Sequence, residues 1–127
     1  MKKPSRNRVN NDTDRDRAWR VMRMYKGAFS RMDIARLSES NYENIAKYIY
    51  VLAKAGYLAE AGHRSMKPKN GHEVLYRLKK NTGPKAPLMK DIDLLYDPNL
   101  KSYWAENPEV RLCELGLLPS PFEVPND

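Results

Sequence analysis

Cysteine occurs once in this chain, at Cys113, so no internal disulfide is available and stability has to come from packing. A lone thiol suits a reducing compartment, and the cytoplasm is the expected location. Histidine occurs twice, at His63 and His72, which with one cysteine is too few for a convincing zinc site. No apolar run approaches the ~18 residues needed to span a bilayer. The opening MKKPSRNRVNND also lacks the apolar stretch of a signal peptide, so no membrane association is expected. Equally missing are a phosphate-binding glycine loop, a Ser-His-Asp or Cys-His set in supporting context, and a carboxylate pair at metal-binding spacing. Asp91 and Asp93 read as part of a solvated acidic stretch. The chain is therefore expected to be no enzyme and to carry no cofactor or metal.

Acid is scarce only in the first part. The 127 residues are 41% hydrophobic, enough for one ordinary domain with an appendage, and carry a net charge of +7. Residues 1–87 hold 20 Lys/Arg against 8 Asp/Glu, a balance of +12; residues 88–127 hold 3 against 8, a balance of −5. A basic domain with an acidic extension points to a polyanionic partner for the first part. Residues 1–12, with Lys2, Lys3, Arg6 and Arg8, read as a flexible basic arm that can lie along phosphates or enter a minor groove.

Three helices are predicted next. Thr13 and Asp16 stand at capping-box spacing, and Ala18, Val21, Met22 and Tyr25 then share one face, with Trp19 at its border. Arg15, Arg17, Arg20 and Arg23 cover much of the remainder, and Gly27 closes the helix. Ser30 and Asp33 repeat the capping box, and Phe29 and Ile34 occupy the N′ and N4 positions of a hydrophobic staple. That short helix runs to about Leu37 or Ser38. The third helix is predicted to open at Ser40, with Glu43 as capping partner, and to end at Gly56. Its apolar stripe is Ile45, Ile49 and Leu52, with Glu43, Asn44, Lys47, Val51 and Lys54 on the other side. Tyr42 is expected in the core, and Tyr48 fits either side. Two short amphipathic helices joined by a tight turn make a helix-turn-helix.

Beyond Tyr57-Leu58, the run AGHRSMKPKNGHE carries Arg64, Lys67 and Lys69, and Val74, Tyr76 and Leu78 then alternate in EVLYRL. This predicts a β-hairpin with a basic tip at about 61–73, flanked by the two histidines. The order helix, helix, helix, two-stranded wing resembles the winged helix-turn-helix family of DNA-binding domains. IAKYIYVLAKAGYLAEAG is similar to the recognition-helix signature of MarR-like and related regulators, at Leu52, Gly56, Tyr57 and Leu58. Tyr76 and Leu78 resemble the Tyr-x-Leu of the returning wing strand. NTGPKAPLMK followed by LYDPN also looks like small prophage-encoded winged-helix proteins.

The expected architecture is thus mainly α with a small β-hairpin: a winged helix-turn-helix over 13–80, a Pro-, Gly- and Lys-rich linker over 81–90, and an acidic, partly helical extension over 91–127. Asp97-Pro98 predicts a short helix carrying Leu100, Tyr103 and Trp104, and Asn107-Pro108 a second carrying Val110, Leu112, Cys113 and Leu115, closed by Gly116. PSPFEVPND cannot continue as helix. Leu94, Leu95, Tyr96, Leu117, Leu118 and Phe122 add apolar surface that packs on the domain, on a second copy, or on another protein.

The resemblance implies double-stranded DNA as partner, with the helix at about 41–55 in the major groove. Asn44 suits a bidentate contact to an adenine edge, Lys47 a guanine or a phosphate, and Glu43 a cytosine amino group. Asn41, Tyr48 and Lys54 flank them. Arg31 suits a phosphate, aided by its helix dipole. Arg64, Lys67 and Lys69 suit backbone or minor groove. Sequence-specific transcriptional regulation by dimers on a symmetric operator is the expected role. The alternatives are a protein-interaction adaptor, docking a partner through the extension, and an accessory factor in phage or mobile-element replication or transposition.

Overall fold

A computed structural model describes residues 12–65, 71–114 and 116. Among these, four helices and two small antiparallel sheets are present. Local chemistry starts the first two helices where the spacing predicts. Thr13 and Asp16 close a reciprocal capping box on α1 (Asp14–Met24), and Ser30 and Asp33 close another on α2 (Arg31–Leu37). Both members of the predicted staple, Phe29 and Ile34, are buried.

The third helix, α3 (Tyr42–Lys54), starts one residue later than predicted. Ser40 is not its cap, because its hydroxyl belongs to the preceding turn: it accepts from Ser38 Oγ at 2.9 Å and donates to Ser38 O at 3.1 Å. Asn41 caps instead, its Oδ1 accepting from Asn44 N at 3.0 Å. The shift moves Glu43 out of capping-box position and leaves it exposed. Four residues, 38–41, therefore separate α2 from α3. Arg17 clamps this turn from α1, donating Nε to Ser38 O at 2.9 Å. Glu39 supplies the turn's left-handed residue at φ 55°.

Helix α3 leaves through Gly56, at φ +90°, into β1 (Leu58–Ser65), which pairs with β2 (His72–Leu78) from Leu58↔Leu78 to Ser65↔His72. A bulge between Glu60 and His63 bends the hairpin. The link between α1 and α2 joins this sheet: Phe29 N donates to Tyr76 O at 2.9 Å, and Tyr76 N to Phe29 O at 2.7 Å.

The second sheet, β3 (Leu88–Asp91), β4 (Leu94–Asp97) and β5 (Ser102–Ala105), corrects the expected helix at Asp97-Pro98. An Asp-Pro pair opens a turn as readily as a helix. Here Asp97 Oδ1 accepts from Asn99 N at 2.8 Å, tightening the β4–β5 turn. Tyr103 and Trp104 then alternate across β5. The second predicted helix is present as α4 (Pro108–Glu114); Leu115 and residues 117–127 lie outside the described residues.

The chain is consequently more evenly α and β than the expected mainly α fold, and 81–90 is no free linker. Met89, Leu95 and Trp104 pair across the second sheet and pack on the core formed by α1, α3 and the hairpin. Ala86 and Pro87 are buried with them. Trp19, fully buried, donates its indole N–H to Gly83 O at 2.9 Å and meets the Tyr57 ring edge-on at 6.1 Å. At Gly83, φ +149°, a Cβ would lie 2.7 Å from Asn99 Oδ1, so a side chain there would have to displace Asn99 from its bonds to Thr82 and Lys85. Part of the extension, Leu95 and Trp104, packs on the chain's own domain; Leu117, Leu118 and Phe122 lie outside the described residues.

Candidate nucleic-acid interface

Burial divides α3 sharply. Ile45, Tyr48, Ile49, Val51 and Leu52 are buried. Val51 thus leaves the outer face on which its spacing placed it, and Tyr48 is no interface residue. The Tyr48 hydroxyl donates to Pro87 O at 2.7 Å, and burial pushes its pKa well up. Glu43, Asn44, Lys47 and Tyr50 are exposed, forming an outward row along the helix. Lys47 has no ion pair among the described residues. Asn44 Nδ2 makes a long contact of 3.4 Å to Asp14. Asn41 serves the helix as its cap, and its exposed N–H donates to Asp14 at 3.2 Å. Tyr42, expected in the core, is 41% exposed at the start of the row.

At the other end of α3, Lys54 is engaged. Its ammonium lies 2.7 Å from Glu106 Oε1, which raises its pKa, and 4.6 Å above the Tyr50 ring. The second sheet therefore occupies the C-terminal end of α3 and leaves the N-terminal half clear. Tyr50 was missed in the sequence, although the outward spacing Glu43, Lys47, Tyr50, Lys54 marks it.

The hairpin stands beside this row. Arg64 on β1 donates to Asp33 at 3.1 Å and to Glu73 at 2.9 Å, tying the hairpin to the start of α2. It is a latch, not the free phosphate ligand expected, though nearly half of its side chain remains exposed. Asp33 is buried, and burial alone raises a carboxyl pKa; the Ser30 N–H, Arg64 and Arg36 outweigh that and hold it below the ordinary range. Replacing Asp33 with Asn is expected to cost about 1–2 kcal/mol at neutral pH, as for a lost cap. Because the folded pKa is depressed, this contribution is present above about pH 4 and lost as pH falls through the folded value. Melts of wild type and variant should therefore converge on acidification.

Arg31 is half-buried, donating to the Tyr76 hydroxyl at 3.1 Å, which raises its pKa. A cleft of about 180 Å³ opens between it and Met32, Tyr42 and His72. His63 and His72 face each other edge-on across the hairpin, 6.3 Å apart, as their flanking positions predict. Lys67 and Lys69 lie outside the described residues, as does most of the N-terminal arm. Among the described residues, no group of three or more His, Cys, Asp or Glu is placed to hold a metal ion, and no helix is long and apolar enough to cross a membrane.

Set against known protein families, curated proteins and solved structures, the chain matches none.

Proposed function

We propose that this chain is a winged-helix protein that reads double-stranded DNA through the N-terminal half of α3. The observation that carries the reading is the α2–turn–α3 unit. A four-residue turn, fixed by Arg17 and the Asn41 cap, presents Glu43, Asn44, Lys47 and Tyr50 outward beside a hairpin anchored to the same unit. A helix projecting one polar, solvated row suits the major groove, where its first turns meet base edges. In this reading Asn44 and Lys47 contact bases, Tyr50 lies along the same row, Arg31 contributes positive charge at the rim, and Arg64 holds the hairpin against α2. Regulation of transcription is the role that follows, with dimers on a symmetric site.

The test is selection from a random duplex library with wild type and Asn44→Ala/Lys47→Ala. Wild type should enrich one site, and the variant should lose about 2–5 kcal/mol on it while keeping its affinity for random duplex. Equal losses on selected and random DNA would sink the base-reading role.

A second reading, an adaptor, is favoured by a different observation. Leu88, Ile92, Leu100, Tyr103 and Val110 are large, at least 37% exposed, and concentrated in the second sheet and α4. An adaptor would dock its partner there and bind no duplex even at low salt.

A further inference from the structure

We infer that the opposite end of α1 carries a second face for a nucleic-acid backbone, formed by Arg23, Lys26, Arg77, Lys79 and Lys80. Two acid-free stretches build it. No Asp or Glu occurs from Arg17 to Met32, which holds five cations, or from Val74 to Lys90, which holds five more. The fold brings these stretches together. Arg23 Nε donates to Asn81 Oδ1 at 2.9 Å, and the antiparallel Phe29–Tyr76 bridge ties the link that carries Lys26 to the strand that carries Arg77. Lys79 and Lys80 are fixed where the chain leaves β2, both backbone N–H groups donating to Tyr57 O, and the Lys80 ammonium sits 4.9 Å from the Tyr57 ring centroid.

All five side chains are exposed, and none has an ion pair among the described residues. The contrast with Arg17, Arg20, Arg64 and Arg111 is plain, since each of those meets a carboxylate. The neighbouring strand adds one acid to this end, Glu60 opposite Tyr76. Cations left unneutralised in a group repel one another, and a polyanion relieves that repulsion while releasing its own counterions. Protein interfaces centre on apolar anchors and are depleted of charge at the core. Here Met24, 73% exposed, is the large apolar residue at this end of α1, so a phosphodiester backbone fits better than an acidic protein. The face is separate from the α3 row: Asn44 lies by Asp14 at the start of α1, and this patch lies about 16 Å of helix away.

The test compares full-length wild type, Asn44→Ala/Lys47→Ala, and Arg23→Gln/Lys26→Gln/Lys79→Gln/Lys80→Gln on a random-sequence duplex across a salt series. The four-site variant should lose roughly tenfold or more in affinity, and its slope of log K against log salt should shrink by about 3–4. The α3 variant should keep most of both. In wild type, Lys26, Lys79 and Lys80 should be shielded from acetylation by saturating duplex, a readout needing no variant to fold. Unchanged affinity and slope in the four-site variant, or equal acetylation with and without duplex, overturns the inference. So does displacement of duplex by polyglutamate at matched charge, which assigns the face to acidic protein. Retention of site selection by the α3 variant counts against the α3 reading instead, and leaves this face to be judged on its lysines.

Discussion

Replacing Asp97 with Ala is expected to cost about 3–5 kcal/mol of folding free energy, a large share of what a domain this size has. Asp97 is 1% exposed and is the acceptor at the junction between the helical part and the second sheet. Its Oδ2 takes hydroxyl protons from Tyr57 and Thr82, each at 2.7 Å, while Oδ1 takes the N–H groups of Asn99 and Leu100. Deleting the carboxylate leaves the buried Tyr57 hydroxyl and the part-buried Thr82 hydroxyl without their acceptor, and the cost of an unsatisfied buried donor exceeds the worth of the bond itself. Burial works to raise the Asp97 pKa, but the donors from Thr82, Tyr57 and the backbone outweigh it, so it sits below the ordinary value. Burial and the same bond push the Tyr57 hydroxyl pKa upward.

The pH dependence follows from that sign. A carboxyl more acidic folded than unfolded stabilises the fold fully above about pH 4 and loses that contribution as pH falls through the folded value. Denaturant melts of wild type should therefore weaken between neutral pH and about pH 3, with Asp33 adding to the slope in the same direction. An Asp97→Asn chain keeps one acceptor oxygen, so it should be less damaged than Asp97→Ala and flatter with pH than wild type. A variant as acid-sensitive as wild type, with Asp33 intact in both, would mean that Asp97 is not the titrating group.

Such nodes explain what was legible in the sequence. The first two helix starts were readable because a capping box is complete within four residues: Thr13 needs only Asp16, and Ser30 only Asp33. The hairpin was readable from alternation at Val74, Tyr76 and Leu78. Ser40 misled because two adjacent residues qualified as caps, and the choice fell to a turn held by Arg17 from another helix. Tyr48 and Val51 were undecidable locally. A stripe drawn from Ile45, Ile49 and Leu52 shows one buried face, but Tyr48 and Val51 are buried as well, and the Tyr48 hydroxyl is met by Pro87 O from beyond the hairpin. The β5 strand shares that cause: Tyr103 and Trp104 are strand only because Tyr96 and Leu95 lie opposite. Within the candidate site, the exposed Asn44 and Lys47 were legible, whereas the pairing of Arg64 with Asp33 depends on a fold that joins positions 31 residues apart.

A chain ended after Lys80 should consequently fail to fold as a stable unit, although it retains all three helices and the hairpin that its sequence marks as a domain. The missing part contributes Ala86 and Leu95 to the core itself, with Met89 and Trp104 packed against it. At about 1.5–3 kcal/mol for a large apolar side chain fully removed from water, Leu95 with the partly buried Met89 and Trp104 amounts to roughly 3–6 kcal/mol. That is comparable with the whole stability of a marginal small domain. The truncated chain would also strip partners from Trp19 Nε1, the Tyr48 hydroxyl and the Tyr57 hydroxyl, all donors to residues beyond 80. Circular dichroism and dye binding give the reading: partial helix without a cooperative melt, and exposed apolar surface. A truncated chain melting within a few degrees of the full protein would show that residues 13–80 stand alone and that the second sheet is an accessory. Cooperative loss would instead bind the α3 row and the acidic sheet into one folding unit, with Lys54–Glu106 spanning it at 2.7 Å. Any partner that docks on the exposed sheet residues would then stabilise the helical unit that carries Asn44 and Lys47, by raising the free energy of the whole unfolding step.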